Sequence, residues 1–297
     1  MNSIEYKYNK KSKSKLKLKQ SIIFVLVIGI MGISAFTTFR KIGANTDTNA
    51  NIDSISEEEK KALLNSDDPI IKSLVELSYE NPKINDILNN IDKYPSSLLE
   101  LASNNSEAVN FVANYPEYLS YTTDKPISVK NDYKPGQIPL FLQWYERWGY
   151  DKYADKFIAI NGCGPTSLAM VAVGLTGNTT INPKVVANYA YENGFYEDGI
   201  GSSWSLISEG AKYFGLNAKE LALDESVILS TLKNGNPIIV TVGPGIFTSK
   251  GHFLVLTGLT DDGKIKINDP NSKINSEKWW DIDVFLKETK NLWKISC

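Results

Sequence analysis

Residues 20–39 form an uncharged and largely apolar run, which constrains the chain more than any other feature. The run contains 20 residues, the length that a helix needs to cross a hydrocarbon core of about 30 Å. Seven lysines precede it, whereas only Arg40 and Lys41 follow it closely. Because Lys and Arg are retained on the cytoplasmic side, the sequence predicts a basic cytoplasmic tail at 1–19, a single transmembrane anchor and an extracytoplasmic body.

Two other interpretations of residues 20–39 stay open. The run is also compatible with a cleaved signal peptide, with Ala35 as a small residue near the cut, and the body would then be secreted. A buried helix of a soluble domain is the third interpretation. Lipid attachment is excluded, because neither Cys163 nor Cys297 lies near the run.

The charge of the remaining chain argues against nucleic acid as a partner. Beyond residue 41 acidic side chains outnumber basic ones, whereas phosphate contacts need clustered Lys and Arg. A nucleotide is not expected either. The nearest match to a phosphate loop, 258–265, lacks Ser or Thr after its lysine and lies between two predicted strands.

The segment between the membrane run and the C-terminal region divides into three parts by composition. Residues 40–68 are polar and predict a solvated stalk. Apolar residues at helical spacing predict a small helical module at 69–120. Prolines and a glycine mark a linker at 121–136. Within the module, a weak 21-residue repeat suggests short helices that each end at a Tyr-Pro pair, at Tyr94-Pro95 and Tyr115-Pro116.

Residues 137–297 have the order of elements expected of an α+β domain. Helix signals come first, with Pro, Asn or Asp near three of the four starts and Gly near three of the ends. Segments rich in Val, Ile and aromatic residues follow, as is typical of strands, and Asp262-Gly263 predicts a hairpin turn. The predicted helices lie near 164–175, 182–194, 203–214 and 224–235, and the predicted strands near 237–242, 252–259, 264–269 and 292–296.

The chain contains only two cysteines, Cys163 and Cys297, and a single histidine, His252. This scarcity excludes a disulfide framework and a zinc site built from Cys and His clusters. We therefore expect neither a metal nor an organic cofactor. Because there is a single histidine, any site that combines a thiol with an imidazole must use His252.

Cys163 lies between two glycines where a helix is predicted to begin. Unpaired N–H groups and the helix dipole at this position favour the thiolate, the reactive form of cysteine. Two other interpretations stay open: a small buried residue at a helix start, and a disulfide with Cys297.

His252 begins a predicted strand, and Asp269 ends the strand that pairs with it. An antiparallel pair that turns at Asp262-Gly263 brings both residues to the same end of the sheet. Asp269 can then orient the imidazole while His252 accepts the thiol proton. The alternatives are a structural histidine and an aspartate that caps the turn before Pro270.

Gln143 is a lone amide in the apolar and aromatic segment 138–148. Its N–H group could stabilise an oxyanion beside the backbone N–H of Cys163. Alternatively, Gln143 holds a loop in place.

These motifs together resemble the C39-like group of papain-fold cysteine peptidases. The resemblance covers 136–297 and rests on GCGPTS, on GHFLVLTG and on the hairpin that leads into Asn-Asp-Pro. It implies a papain-like fold in which Cys163 is the nucleophile, His252 the base, Asp269 the orienting residue and Gln143 the oxyanion donor. Members fused to peptide-export transporters carry an ATPase and cut leader peptides after Gly-Gly, whereas this chain has one membrane segment and no ATPase motif.

The sequence therefore predicts a membrane-anchored, extracytoplasmic cysteine peptidase that acts on a peptide or protein substrate and contacts the lipid bilayer through residues 20–39. Two alternatives share the same residues. One is a peptidoglycan amidase or endopeptidase, and the other is a surface module that binds peptides without cleaving them.

Overall fold

The structure, a computed structural model, describes residues 55–120 and 126–297. The predicted cytoplasmic tail and the predicted anchor at 20–39 lie outside these ranges. Within the ranges that are described, no helix is long and apolar enough to span a bilayer.

A bundle of short helices forms the first part of the described chain. Its first helix begins with a capping box, in which Ser56 and Glu59 bind each other's backbone N–H groups. The helical module therefore begins near Glu57, inside the segment predicted as a stalk. Its α-helices are α1 (Glu57–Leu64), α2 (Pro69–Ser78), α3 (Ile84–Leu88), α4 (Ser96–Asn104), α5 (Val109–Ala113) and α6 (Tyr115–Tyr118).

The Tyr-Pro pairs of this module stand at junctions between short helices. The first pair ends the 3₁₀ helix Ile91–Lys93, as predicted, whereas the second lies within the helix that follows α5. Pro95 is the residue before α4, and Pro116 lies in the first turn of α6. The physical reason is that proline has no N–H to donate, and the first turn of a helix needs no such donor. The proline ring also clashes with the backbone of the residue before it, so the same proline can separate a preceding helix from the one that it begins.

The C-terminal part is an α+β domain, as predicted. Its longest helix, α8, begins at Cys163 and is closed by Gly177, which adopts a left-handed conformation with φ 69°. The elements in chain order are β1 (Lys152–Tyr153), β2 (Lys156–Phe157), α7 (Ile158–Asn161), α8 (Cys163–Thr176), α9 (Pro183–Glu192), β3 (Tyr196–Glu197), β4 (Gly201–Ser202), α10 (Ser205–Ser208), β5 (Asn217–Glu220), α11 (Glu225–Lys233), β6 (Ile238–Val242), β7 (His252–Leu259), β8 (Ile265–Asn268), α12 (Lys273–Glu277), β9 (Trp279–Trp280), α13 (Ile282–Glu288) and β10 (Thr289–Ser296).

The main sheet has six strands in the order β5-β10-β6-β7-β8-β9, and every pair is antiparallel. Its central strand β6 is buried throughout, and β7 is buried over its first five residues. Helix α8 is buried over residues 164–173 and shares a hydrophobic core with residues of β7 such as Phe253 and Val255. The helix that begins with the cysteine therefore packs on the sheet that carries the histidine, as the resemblance implied.

The structure divides one predicted helix, adds two strands to the main sheet and adds two small two-stranded sheets, β1-β2 and β3-β4. The segment 203–214 forms α10 and a separate 3₁₀ turn, Gly210–Phe214, because the backbone of Glu209 departs from helical geometry. Strands β5 and β9 were not predicted. Both lie at sheet edges, where burial is incomplete and the apolar signal of a strand is weak.

Aromatic side chains of the segment before Cys163 join the helical module to the α+β domain. The ring of Tyr150 stacks on Phe111 of α5 with a centroid separation of 4.1 Å, and its hydroxyl donates to the Phe111 carbonyl. Tyr150 and Phe157 belong to the same hydrophobic core as helices α2 to α5. The described residues, 55–120 and 126–297, accordingly belong to one compact unit.

Candidate active site

Cys163 is the first residue of α8 and is only partly exposed. The close approach of β4 requires glycine at position 164, because a Cβ atom there would lie 2.5 Å from the Ser202 hydroxyl oxygen. As the first helical residue, Cys163 has an N–H without a carbonyl partner inside α8. Both cysteines are free, so the disulfide between Cys163 and Cys297 is not formed.

His252 and Asp269 form a hydrogen bond at the end of the hairpin, the position predicted from the sequence. The distance between His252 Nε2 and Asp269 Oδ1 is 2.7 Å, and the two residues are 8% and 1% exposed. The register explains the meeting, because Val255 of β7 lies opposite Asn268, the last residue of β8. Against the effect of burial, the hydrogen bonding and charge of the His252 side chain also lower the pKa of the Cys163 thiol, which places the two side chains side by side.

The Asp269 carboxylate is held by two further donors. The backbone N–H of Asn271 donates to Oδ1 at 2.8 Å, and the Asn275 amide donates to Oδ2 at 2.9 Å. The backbone N–H of Asp269 itself donates to the Ser276 hydroxyl at 2.8 Å. Sequence reasoning missed Asn271, Asn275 and Ser276, since nothing in their spacing marks them before the turn and α12 are known.

The pKa values of the three groups shift in the directions that an ion pair requires. Burial opposes the charged His252, but the charge and hydrogen bond of Asp269 raise its pKa to about 10. Burial also opposes the Cys163 thiolate, yet the hydrogen bond and charge of His252, with the N–H groups of Phe253 and Gly164, lower the pKa of this thiol. Burial opposes the Asp269 carboxylate in turn, and the charge of His252 keeps its pKa lowered.

Gln143 is buried, 4% exposed, beside the turn that leads into Cys163. Its Nε2 donates to the Ala159 carbonyl at 2.8 Å and makes a longer contact of 3.4 Å with the Ile160 carbonyl. The backbone N–H of Gln143 donates to the Pro270 carbonyl at 2.7 Å. The residue thus connects the segment before the cysteine with the loop that follows Asp269, and its amide is bound to backbone oxygens.

A groove of about 400 Å³ lies beside Ser202, the residue that packs on Gly164. Its lining combines serine hydroxyls with the exposed apolar side chains of Ile200 and Trp204 and with the Glu197 carboxylate. No group of His, Cys, Asp and Glu side chains in the described ranges could hold a metal ion.

Comparison with known proteins identifies the family. A model of the Peptidase_C39 like family matches residues 136–296. The chain belongs to this family. The resemblance seen in the sequence is confirmed. Membership of this family points to a cysteine peptidase. The helical module lies outside the matched residues.

One solved structure similar to this chain is the peptidase domain of Streptococcus ComA, described as a bifunctional ABC transporter involved in a quorum-sensing pathway. The two are 21% identical, the match covers 46% of this chain and 89% of that one, and the TM-score is 0.37. No curated protein matches this chain in sequence.

Proposed function

We propose that the protein is a cysteine peptidase that cleaves peptide bonds through Cys163, His252 and Asp269. One observation carries this proposal: the only histidine of the chain contacts both the cysteine at the start of α8 and a buried carboxylate 2.7 Å away. Such a relay supplies a nucleophile, a proton carrier and a group that orients the carrier.

The proposed reaction begins from the ion pair of thiolate and imidazolium. The Cys163 sulfur attacks the carbonyl carbon of the peptide bond and forms a tetrahedral oxyanion. His252 then donates its proton to the leaving nitrogen, the C–N bond breaks, and an acyl-enzyme remains on the sulfur. Neutral His252 next accepts a proton from water, whose oxygen attacks the thioester and releases the carboxylic acid.

Gln143 is the proposed side-chain donor to the oxyanion, together with the N–H of Cys163. An amide nitrogen has two hydrogens, and the short bond to the Ala159 carbonyl uses one of them. The other makes only the 3.4 Å contact with the Ile160 carbonyl, and we propose that it turns to the oxyanion that forms on the substrate carbonyl oxygen when Cys163 attacks.

We also propose that residues 20–39 anchor the protein and that the peptidase domain lies outside the cytoplasm. The uncharged run and the lysines before it support this arrangement. Cys297 offers a direct test, because it is exposed. A membrane-impermeant maleimide should label Cys297 in intact cells that express the Cys163→Ala variant. Labelling only after lysis would contradict the proposed orientation.

The catalytic proposal is tested with the full chain and a library of fluorogenic peptides. We expect hydrolysis by the wild type and by Cys297→Ala, and none by Cys163→Ala or His252→Ala of unchanged circular dichroism. Purified peptidoglycan in a parallel reaction separates a general peptidase from a cell-wall enzyme. Full activity of Cys163→Ala, or an inactive wild type on both substrates, would contradict the proposal.

A further inference from the structure

The helical module touches the α+β domain at the loop and helix that follow Asp269. Glu107, which precedes α5, places its carboxylate over the first turn of α12. Its Oε2 accepts from the backbone N–H groups of Lys273 at 2.8 Å and Ile274 at 3.1 Å, and its Oε1 accepts from the Ser272 hydroxyl at 2.5 Å. A carboxylate of the module therefore binds three donors at the start of this short helix, where such donors have no partner within the helix.

Asn105 makes a second connection between the same two parts. Its amide donates to the carbonyl of Asn271 at 2.9 Å, and the Trp144 indole N–H donates to the same carbonyl at 3.0 Å. The side-chain carbonyl oxygen of Asn105 accepts from the backbone N–H of Glu107 at 3.0 Å. One side chain thus holds both the loop and the glutamate.

Both connections end on residues that bind the Asp269 carboxylate. Asn271 donates its backbone N–H to Oδ1, while its carbonyl is held by Asn105. Helix α12, which Glu107 holds, carries Asn275 as the donor to Oδ2. Each of these donors to the Asp269 carboxylate therefore lies in a segment that the helical module holds by hydrogen bonds.

From this network we infer that the helical module is a working part of the active site, in which Glu107 and Asn105 are positioning residues for Asp269. The inference rests on the proposed peptidase function. It assigns a role to residues that the family model does not include, since that match begins at residue 136.

We therefore expect the helical module to influence the reactivity of Cys163 through Asp269 and His252. Asp269 holds His252 by a buried contact of 2.7 Å, and small displacements of catalytic groups cost up to about a hundredfold in rate. If α12 and the loop before it lose their outer support, the carboxylate moves more freely and holds the imidazolium less firmly. The Cys163 thiolate then loses part of its stabilisation, because its partner carries the positive charge for less of the time.

The test uses Glu107→Gln and Asn105→Asp in a Cys297→Ser background of the full chain. Glu107→Gln keeps the size of the side chain and removes its charge. Asn105→Asp keeps the acceptor for the Glu107 N–H but replaces the donor to Asn271 with an oxygen. We expect each change to lower kcat by about tenfold or more on a fluorogenic peptide, with KM changed less than twofold.

A second readout separates positioning from general stability. The rate at which iodoacetamide alkylates Cys163 is followed against pH, and both variants should move its midpoint to higher pH. Glu100→Gln is the matched control, since Glu100 is an exposed glutamate of the same module, on α4. It should leave kcat and the midpoint unchanged.

The outcome that overturns the inference is an unchanged kcat and an unchanged midpoint in Glu107→Gln and Asn105→Asp, whether or not their melting temperatures fall. If the wild type cleaves no peptide, the proposed function fails. The alkylation midpoint still tests the inference in that case, because it needs no substrate.

Discussion

Asp269 Oδ1 lies 2.7 Å from His252 Nε2, although 17 residues and a complete hairpin separate the two in the chain. The pairing register of β7 and β8 fixes this meeting, with His252 opening one strand and Asp269 following the other. The carboxylate is nearly inaccessible and receives three hydrogen bonds from the histidine, a backbone N–H and an amide. A buried negative charge with this set of donors is suited to hold an imidazolium beside a thiolate.

Asp269→Asn should lower kcat by about ten- to a hundredfold and should shift the basic limb of the pH profile to lower pH. The charge of Asp269 raises the pKa of His252 to about 10, so removing that charge lets the imidazolium lose its proton at lower pH. The profile of kcat/KM against pH measures both effects. A basic limb that stays in place would show that Asp269 does not set the charge of His252.

Gln143→Ala should lower kcat for peptide hydrolysis by about 10²- to 10³-fold, the usual effect of losing one oxyanion donor. Alkylation of Cys163 by iodoacetamide passes through no tetrahedral oxyanion, so its rate should stay near the wild-type value. The measurement compares the loss in the rate of peptide hydrolysis with the loss in the rate of alkylation. Equal losses in both would mean that Gln143 only shapes the turn before Cys163, which its bonds to the Ala159 and Ile160 carbonyls also permit.

Gly164→Ala should impair peptide hydrolysis, because the added methyl group would meet Ser202 at 2.5 Å from its hydroxyl oxygen and 2.7 Å from its Cβ. The start of α8 must shift to relieve this contact, and Cys163 is the adjacent residue. The double variant Gly164→Ala with Ser202→Gly removes the contact atoms and should recover part of the lost activity. If the double variant is no better than the worse of the two single variants, the close approach is not the cause.

Tyr150→Ala should destabilise the protein by about 3–5 kcal/mol, the usual cost of deleting a large buried ring. Its ring stacks on Phe111, and its hydroxyl donates to the backbone of that residue. Because the aromatic core spans the helical module and the α+β domain, urea denaturation should still show a single transition at a lower midpoint. Two separated transitions in the wild type would contradict the shared core. Tyr213→Ala, at an exposed tyrosine, is the control and should cost much less.

The sequence was sufficient for the parts of the site that local patterns determine. Glycines around Cys163 and the proline after them marked a helix start, and α8 begins at that cysteine. The Asp-Gly turn set the hairpin, and the hairpin alone brings His252 to Asp269. These predictions worked because turn chemistry and strand pairing act over short stretches of chain.

Contacts between distant segments could not be derived in the same way. Asn105 lies 166 residues before Asn271, and nothing in either neighbourhood signals the other. The aromatic residues between Gln143 and Cys163 also gave no sign of their partners. Trp144 donates to the loop after Asp269, and Tyr150 donates to the helical module. Such contacts depend on how whole helices and strands pack. That packing is determined by many residues of the two hydrophobic cores together and not by a local motif.

The rate of Cys163 alkylation by iodoacetamide against pH, in a Cys297→Ser background, tests the central claim most directly. If His252 holds a thiolate, the midpoint should lie below the usual cysteine pKa of about 8.5, because the pKa of this thiol is lowered by the histidine. His252→Ala should raise the midpoint above that of the wild type. A wild-type midpoint at or above about 8.5 that His252→Ala leaves in place would contradict the account.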